Sequence, residues 1–335
     1  MSGTKIVLKT DLTMTENSGI TFEYAYTEFQ KFCNLKNLRP KTIHNYEENY
    51  LRFKKYLDEY ANYSFITELK QYDINNYVLC LKNSGMRDTS INTYLRGVRT
   101  ILNFWSENYN IQTFKIRIHK ADKSIKETYT DEELFRLLAR PSLTNCEFTT
   151  FRNWCIINFF LGTGVRVSTL IHIKIEDIDL NFDRIQLTYT KNRKSYIIPL
   201  SGQLKQVLEE YLSYRKGRPE DYLFCNQYGE QLTTDAVKHA ISKYNKSRGV
   251  NRCGLHAFRH TFAKKCVMNG VNVFVLQRLL GHSDISVTRE YVDLYADDLA
   301  KNIDMYNPLD TLNSNKKDSI KKKTVNTRKK ISMKK

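Results

Sequence analysis

The chain has no uninterrupted apolar run near the roughly 18 to 20 residues that a membrane-spanning helix needs. Its opening stretch, MSGTKIVLKTDLTMTENSG, lacks the apolar core of a secretory signal. These two absences set the expectation of a protein that stays in the cytoplasm. Cysteine occurs seven times (Cys33, Cys80, Cys146, Cys155, Cys225, Cys253, Cys266), an odd number with no CxxC pair. Reduced core thiols are expected from that scatter, rather than disulfides or a zinc site. A Walker A run, an HExxH helix and a carboxylate cluster for Mg²⁺ are also missing. The expectation is therefore of chemistry without a bound metal or other cofactor.

Acidic residues are in deficit as well. Lys and Arg number 53 against 36 Asp and Glu, a net charge of +17 that attracts polyanions. From Lys316 to Lys335 there are ten basic residues and one acid, Asp318, so this stretch holds +9 of the +17. Residues 311–335 are expected to be a solvated, disordered tail with loose attraction for phosphate. Against these shortages, 335 residues at 41% apolar and 27% charged suffice for two domains with real cores.

After an N-terminal extension, residues 1–19, the apolar spacing becomes helical. Phe22, Tyr26, Phe29 and Phe32 mark a first helix, and Ile43, Tyr46, Tyr50, Phe53 and Leu57 a second that begins just after Pro40. A third spans about Asn75 to Leu81 and stops before Gly85. The fourth, after Asp88, carries Ile91, Leu95, Val98, Leu102 and Trp105. Residues 20–112 are thus expected to form a four-helix bundle. Lys36, Arg39, Lys41, Arg52, Lys54 and Lys55 would leave one face basic, a candidate DNA-binding surface. Residues 113–127, polar and basic without periodicity, are expected to be a linker.

The second domain, residues 128–310, opens with Thr130 and Glu133 in capping-box spacing. RNWCIINFFLGTG reads as a buried helix ended by glycine, and RIQLTYTKNRKSYIIPL as two strands around a turn at Lys191 to Lys194. LKQVLEEYLSYRKG, TTDAVKHAISKYNKSRG and the remainder return to helix. The fold class expected is mainly α with one small sheet.

Several motifs lie on this frame. GTGVRVSTL sets Arg166 after a Gly-rich turn, and the hairpin turn offers Lys191, Arg193 and Lys194. HAFR puts His256 and Arg259 on one helix face. LLGHSDISVTREY puts His282 at a helix end and Tyr291 nine residues later. Converged, these side chains would form a cationic pocket with one nucleophilic hydroxyl, suited to phosphoryl transfer without a metal. Arginine keeps its charge and offers a planar fork of donors, and neighbouring guanidinium groups favour ionised tyrosine.

The order and spacing of GTGVRVSTL, TKNRKSYIIPL, HAFRHTFA and LLGHSDISVTREYVDL resemble those of the tyrosine recombinase (phage integrase) family, over most of residues 20 to 306. The resemblance implies a SAM-like core-binding domain followed by a catalytic domain of the DNA breaking-rejoining type. It implies that Tyr291 attacks a DNA phosphodiester to leave a 3′-phosphotyrosyl link, while Arg166 and Arg259 hold the non-bridging oxygens. Lys191 matches the general acid for the leaving 5′-oxygen, with Lys194 as the alternative. His256 and His282 match positions that assist proton transfer and hydrogen-bond the phosphate. Paired sites on double-stranded DNA, a monomer in solution that becomes a homotetramer on DNA, and an accessory excisionase or host factor are the implied partners.

One position departs from the pattern. Thr169 stands where the family usually carries Glu or Asp, a loss that Glu176 or Asp177 could offset. The implied task is that of a mobile-element integrase or transposase. The open alternatives are a chromosome or plasmid dimer resolvase, a type IB topoisomerase and a degraded DNA-binding regulator. The short stretch before the bundle is too brief for a separate arm-binding domain, which leaves the first two readings both open.

Overall fold

The computed structural model describes residues 19–120, 126–190 and 193–299, without the side chains of Asn145 and of residues 295–299. The expected tail, most of the N-terminal extension and Lys191 lie outside the described residues. The chain divides into two compact units between Ser124 and Ile125.

The first unit contains α1 (Phe22–Leu35), α2 (Pro40–Tyr60), α3 (Gln71–Asn83) and α4 (Asp88–Asn108). Thr21 caps α1 by accepting the Tyr24 N–H at 3.3 Å, and Pro40 occupies the first turn of α2, where its missing N–H costs nothing. α3 starts four residues earlier than its apolar spacing indicated, because Asp73 turns back to accept the Lys70 N–H at 2.8 Å. The apolar stripes of the four helices close on Phe22, Phe29, Leu57, Leu95 and Trp105, and the Trp105 indole donates to the Ala25 carbonyl at 3.0 Å. Part of the stretch expected as linker also belongs to this core. Phe114 and Ile116 are buried against it, and Asn92 exchanges two 2.9 Å hydrogen bonds with the His119 backbone. Burial of two such side chains contributes about 1.5–3 kcal/mol each.

The second unit begins with α5 (Asp131–Leu138), where the capping box forms as its spacing predicts. Thr130 accepts the Glu133 N–H at 3.2 Å and Glu133 accepts the Thr130 N–H at 2.9 Å. α6 (Phe148–Thr163) is buried nearly all round and packs against α5, α8, α9 and α10, so it is the spine of the unit. Around it follow α7 (Val167–Leu170), then β1 (Ile178–Asp179), β2 (Arg184–Leu187) and β3 (Tyr196–Pro199). The chain returns to helix in α8 (Gly202–Arg215), α9 (Thr234–Ser247), α10 (Leu255–Met268), α11 (Val273–Leu280) and α12 (Ile285–Leu299). The strands form one antiparallel sheet in the order β1-β2-β3, with Ile185 opposite Ile198 on the buried face. β2 and β3 are the expected hairpin, and β1 adds an edge that is too short to show alternation.

Two apolar clusters hold this unit. The larger unites α6 with Phe224, Tyr211 and Phe258, and a smaller one joins α10, α11 and α12 through Ala263, Val267, Leu276, Leu280 and Tyr291. The architecture is mainly helical with a small sheet, as the patterning implied. All seven cysteines are free thiols, three of them buried. Among the described residues no helix is long and apolar enough to cross a membrane.

Candidate active site

Arg259 lies at the centre of the second unit's site. It is only 4% exposed, and its fork is spread over three acceptors from two other segments. Nη1 donates to the Gly164 carbonyl at 2.7 Å, and Nη2 donates to the Leu280 carbonyl at 2.8 Å and to His282 Nε2 at 2.7 Å. Both carbonyls reach it because glycine ends each preceding helix in the left-handed conformation. Gly164 (φ +64°) closes α6 and Gly281 (φ +60°) closes α11. A Cβ at Gly164 would meet the Phe262 ring at 2.4 Å, and one at Gly281 the Tyr196 ring at 2.6 Å. The glycines of GTG and LGH therefore allow both the turn and the close packing at the site.

A guanidinium only donates, so the Nε2 atom facing Arg259 must be the unprotonated nitrogen of His282. Nδ1 then carries the hydrogen and donates to Thr288 Oγ1 at 2.8 Å. Burial first, then the charges of Arg259 and Arg166, push His282 down to about 3, which agrees with a neutral ring. Arg166 is the residue before α7, half-buried, and its charge also acts on Arg259 and on Tyr196. Among the described residues no carboxylate pairs with either arginine. Burial and Arg166 together lower Arg259 to about 10, still charged at neutral pH. Two guanidinium groups that act on one another, with no carboxylate paired to either among the described residues, make the charge of this site suited to an anion.

Tyr291, on α12, is 3% exposed and stacks parallel to His282 at 6.5 Å between ring centroids. Its hydroxyl is 2.8 Å from Nδ1 of His260, a residue the motif reading passed over. Lys126 also touches the tyrosine, its Nζ 4.2 Å from the ring centroid and 2.7 Å from Glu290. His256, exposed, places its ring 6.3 Å from that of His260. One sequence signal for His260 existed, because it follows Arg259 directly and lies one turn after His256 on the same helix. Lys126 had none, since 165 residues separate it from Tyr291 in the chain.

The other candidate residues are more dispersed. Arg193 and Lys194 are exposed in the hairpin turn, where Arg193 takes a left-handed φ of +56° and Thr190 Oγ1 bonds the Lys194 backbone. Thr169 is buried in α7, its N–H donating to the Arg166 carbonyl at 2.9 Å. The two acids expected to offset the missing carboxylate both contact Lys174. Glu176 pairs with Lys174 at 3.4 Å, and Asp177 accepts the Lys174 N–H at 2.9 Å.

In the first unit the six basic residues do not share a face. Lys41 and Arg52, eleven positions apart, differ by about 20° around α2, whereas Lys54 is rotated about 140° away from Lys41. Arg52 lies over the Tyr94 ring, while Lys54 pairs with Asp58 and lies near Phe22. Lys36, Lys41, Arg52 and Lys55 are exposed and Arg39 is half-buried.

Comparison with known proteins places these features in a family. The model of the phage integrase family matches residues 127–297, and that of the phage integrase N-terminal SAM-like domain matches residues 28–115. The tyrosine recombinase XerD of Oceanobacillus iheyensis is 26% identical over 297 residues, covering 85% of this chain and 99% of that protein. The XerH site-specific recombinase bound to its difH substrate superposes with a TM-score of 0.65 at 19% identity, over 84% of both chains. A lambda integrase tetramer bound to a Holliday junction gives a TM-score of 0.65 at 16% identity, over 82% of this chain and 78% of that one.

Proposed function

The chain belongs to the phage integrase family, and from that membership we propose that it is a site-specific tyrosine recombinase that cuts and rejoins DNA through a 3′-phosphotyrosyl intermediate. The observation that carries this reading is the meeting of Tyr291 with Arg259, Arg166 and His282 in a cationic site where, among the described residues, no carboxylate pairs with either arginine. In the proposed reaction Tyr291 attacks the scissile phosphorus. Arg166 and Arg259 hold the non-bridging oxygens, and Lys191 protonates the leaving 5′-oxygen, with Lys194 as the alternative acid. His256 and His282 assist proton transfer and orient the phosphate. Three of the five Arg259 donors bond Gly164, Leu280 and His282 and a fourth meets the Tyr291 hydroxyl, which leaves one for an incoming anion. The bond energy is stored in the phosphotyrosine, so rejoining needs no ATP and the cations make a metal unnecessary.

The protein is proposed to act in the cytoplasm on paired double-stranded DNA sites, as a homotetramer that forms from monomers and exchanges strands through a Holliday junction. An excisionase or host factor could set the direction. The biological task is proposed to be integration or transposition of a mobile element. Resolution of chromosome or plasmid dimers is the second reading, and the similarity to a XerD recombinase over 99% of that protein favours it. The test uses purified protein and DNA nicked near the presumed crossover, resolved by denaturing electrophoresis with Tyr291→Phe alongside. A covalent protein–DNA band that vanishes in the variant supports the chemistry, and its absence from protein that binds the same DNA overturns it. Ends of the surrounding genetic element, tested against a chromosomal dimer-resolution site, separate the two tasks.

A further inference from the structure

We propose that His260 is a further catalytic residue, the acceptor of the Tyr291 hydroxyl proton during strand cleavage. The inference rests on the recombinase reading above and deepens it. His260 Nδ1 lies 2.8 Å from Tyr291 Oη, at the distance of a formed hydrogen bond. The Tyr291 hydroxyl also interacts with Arg259, and this pairing favours the charged guanidinium. Because arginine only donates, the tyrosine oxygen accepts from it, and the hydroxyl donates its hydrogen to His260 across the 2.8 Å contact. His260 is then the tautomer with its hydrogen on Nε2 and its lone pair on Nδ1.

The groups facing His260 favour that neutral form. Lys126 approaches from the segment before α5, ion-paired to Glu290, and Arg259 and His256 lie on its own helix. Burial and these cations push His260 down to about 4, so it is unprotonated at neutral pH. A base this weak does not ionise the free phenol. It has no need to, because the phenol oxygen becomes far more acidic as it bonds to phosphorus, and the proton must leave during that step. As the Oη–P bond forms and the P–O5′ bond breaks, the proton passes from Oη to Nδ1. The leaving 5′-oxygen takes a separate proton from the general acid. Rejoining reverses both transfers, and Lys126 over the ring holds the tyrosine in place as a positioning residue.

The test compares wild type, His260→Asn and Tyr291→Phe in covalent-adduct formation on nicked duplex DNA. Asparagine keeps a polar atom near the Nδ1 position but accepts no proton, so cleavage falls about 100-fold or more with DNA binding and melting temperature unchanged. The deficit narrows at alkaline pH, where tyrosine ionises unaided. It persists on a substrate whose bridging 5′-oxygen is replaced by sulfur, since a thiolate leaving group needs no acid. His260→Gln provides the same comparison if the asparagine variant melts early. A His260→Asn rate within a few-fold of wild type overturns the proposal while the Tyr291-dependent adduct leaves the recombinase reading intact. Restoration of His260→Asn by the sulfur substrate overturns it too, because the defect then lies on the leaving-group side. No adduct from wild type overturns both readings together.

Discussion

The arginine pocket makes a prediction that needs no DNA and no turnover. Holding Arg259 at about 10 rather than its ordinary 12.5 corresponds to about 3 kcal/mol of unfavourable charge burial. Both the folded and unfolded states keep this arginine protonated below about pH 9, so the cost is constant through neutral pH. A tetrahedral dianion of phosphate shape relieves it by entering between Arg166 and Arg259. An anion at 10- to 100-fold above its dissociation constant stabilises by about 1.4 to 2.7 kcal/mol, within the cost to be relieved. For a unit of this size that is a rise in Tm of about 3 to 11 °C. The assay is a thermal melt in sulfate and in chloride at equal ionic strength. Sulfate also stabilises proteins generally by exclusion from their surface, so the quantity read is the increment lost in Arg166→Gln and Arg259→Gln. If both variants gain as much from sulfate as wild type does, the two guanidinium groups do not form an anion site.

Three further outcomes are expected. Gly281→Ala combines a left-handed backbone with a Cβ 2.6 Å from the Tyr196 ring, a destabilisation of about 2–5 kcal/mol from strain plus overpacking. It is read by chemical denaturation and by loss of adduct formation, and unchanged stability would refute the packing described. His260 and His282 stay neutral in the fold down to about 4 and about 3 while the unfolded residues protonate near 6.5. Stability therefore falls as pH drops from about 6.5 towards 4, with a Tm that declines less in the double variant His260→Asn, His282→Asn. Thr130→Ala removes one half of the capping box at α5 and is expected to cost about 1 kcal/mol, seen as a lower denaturation midpoint with an unchanged slope.

Much of the scaffold was legible from local pattern, because helix spacing and caps depend on residues within a turn of one another. The stripe Ile91, Leu95, Val98, Leu102, Trp105 indicated α4, and Thr130 with Glu133 fixed the start of α5. The hairpin showed in its alternation, while β1, two residues long, carried no period to read. Phe114 and Ile116 were read as linker because two apolar residues in a basic stretch have no helical or strand period. Their burial depends on a surface offered by helices far earlier in the chain.

The sequence by itself determined the elements, the order of the motifs and the resemblance they carry, since all of these are properties of spacing along the chain. Tertiary structure alone decided which atoms meet. It turned Arg259 towards two backbone carbonyls, set His260 against the Tyr291 hydroxyl and brought Lys126 over its ring. Hydrogen bonds and ion pairs act over a few ångströms between residues 31 or 165 positions apart, and that distance is set by the packing of helices, which no spacing in the sequence records.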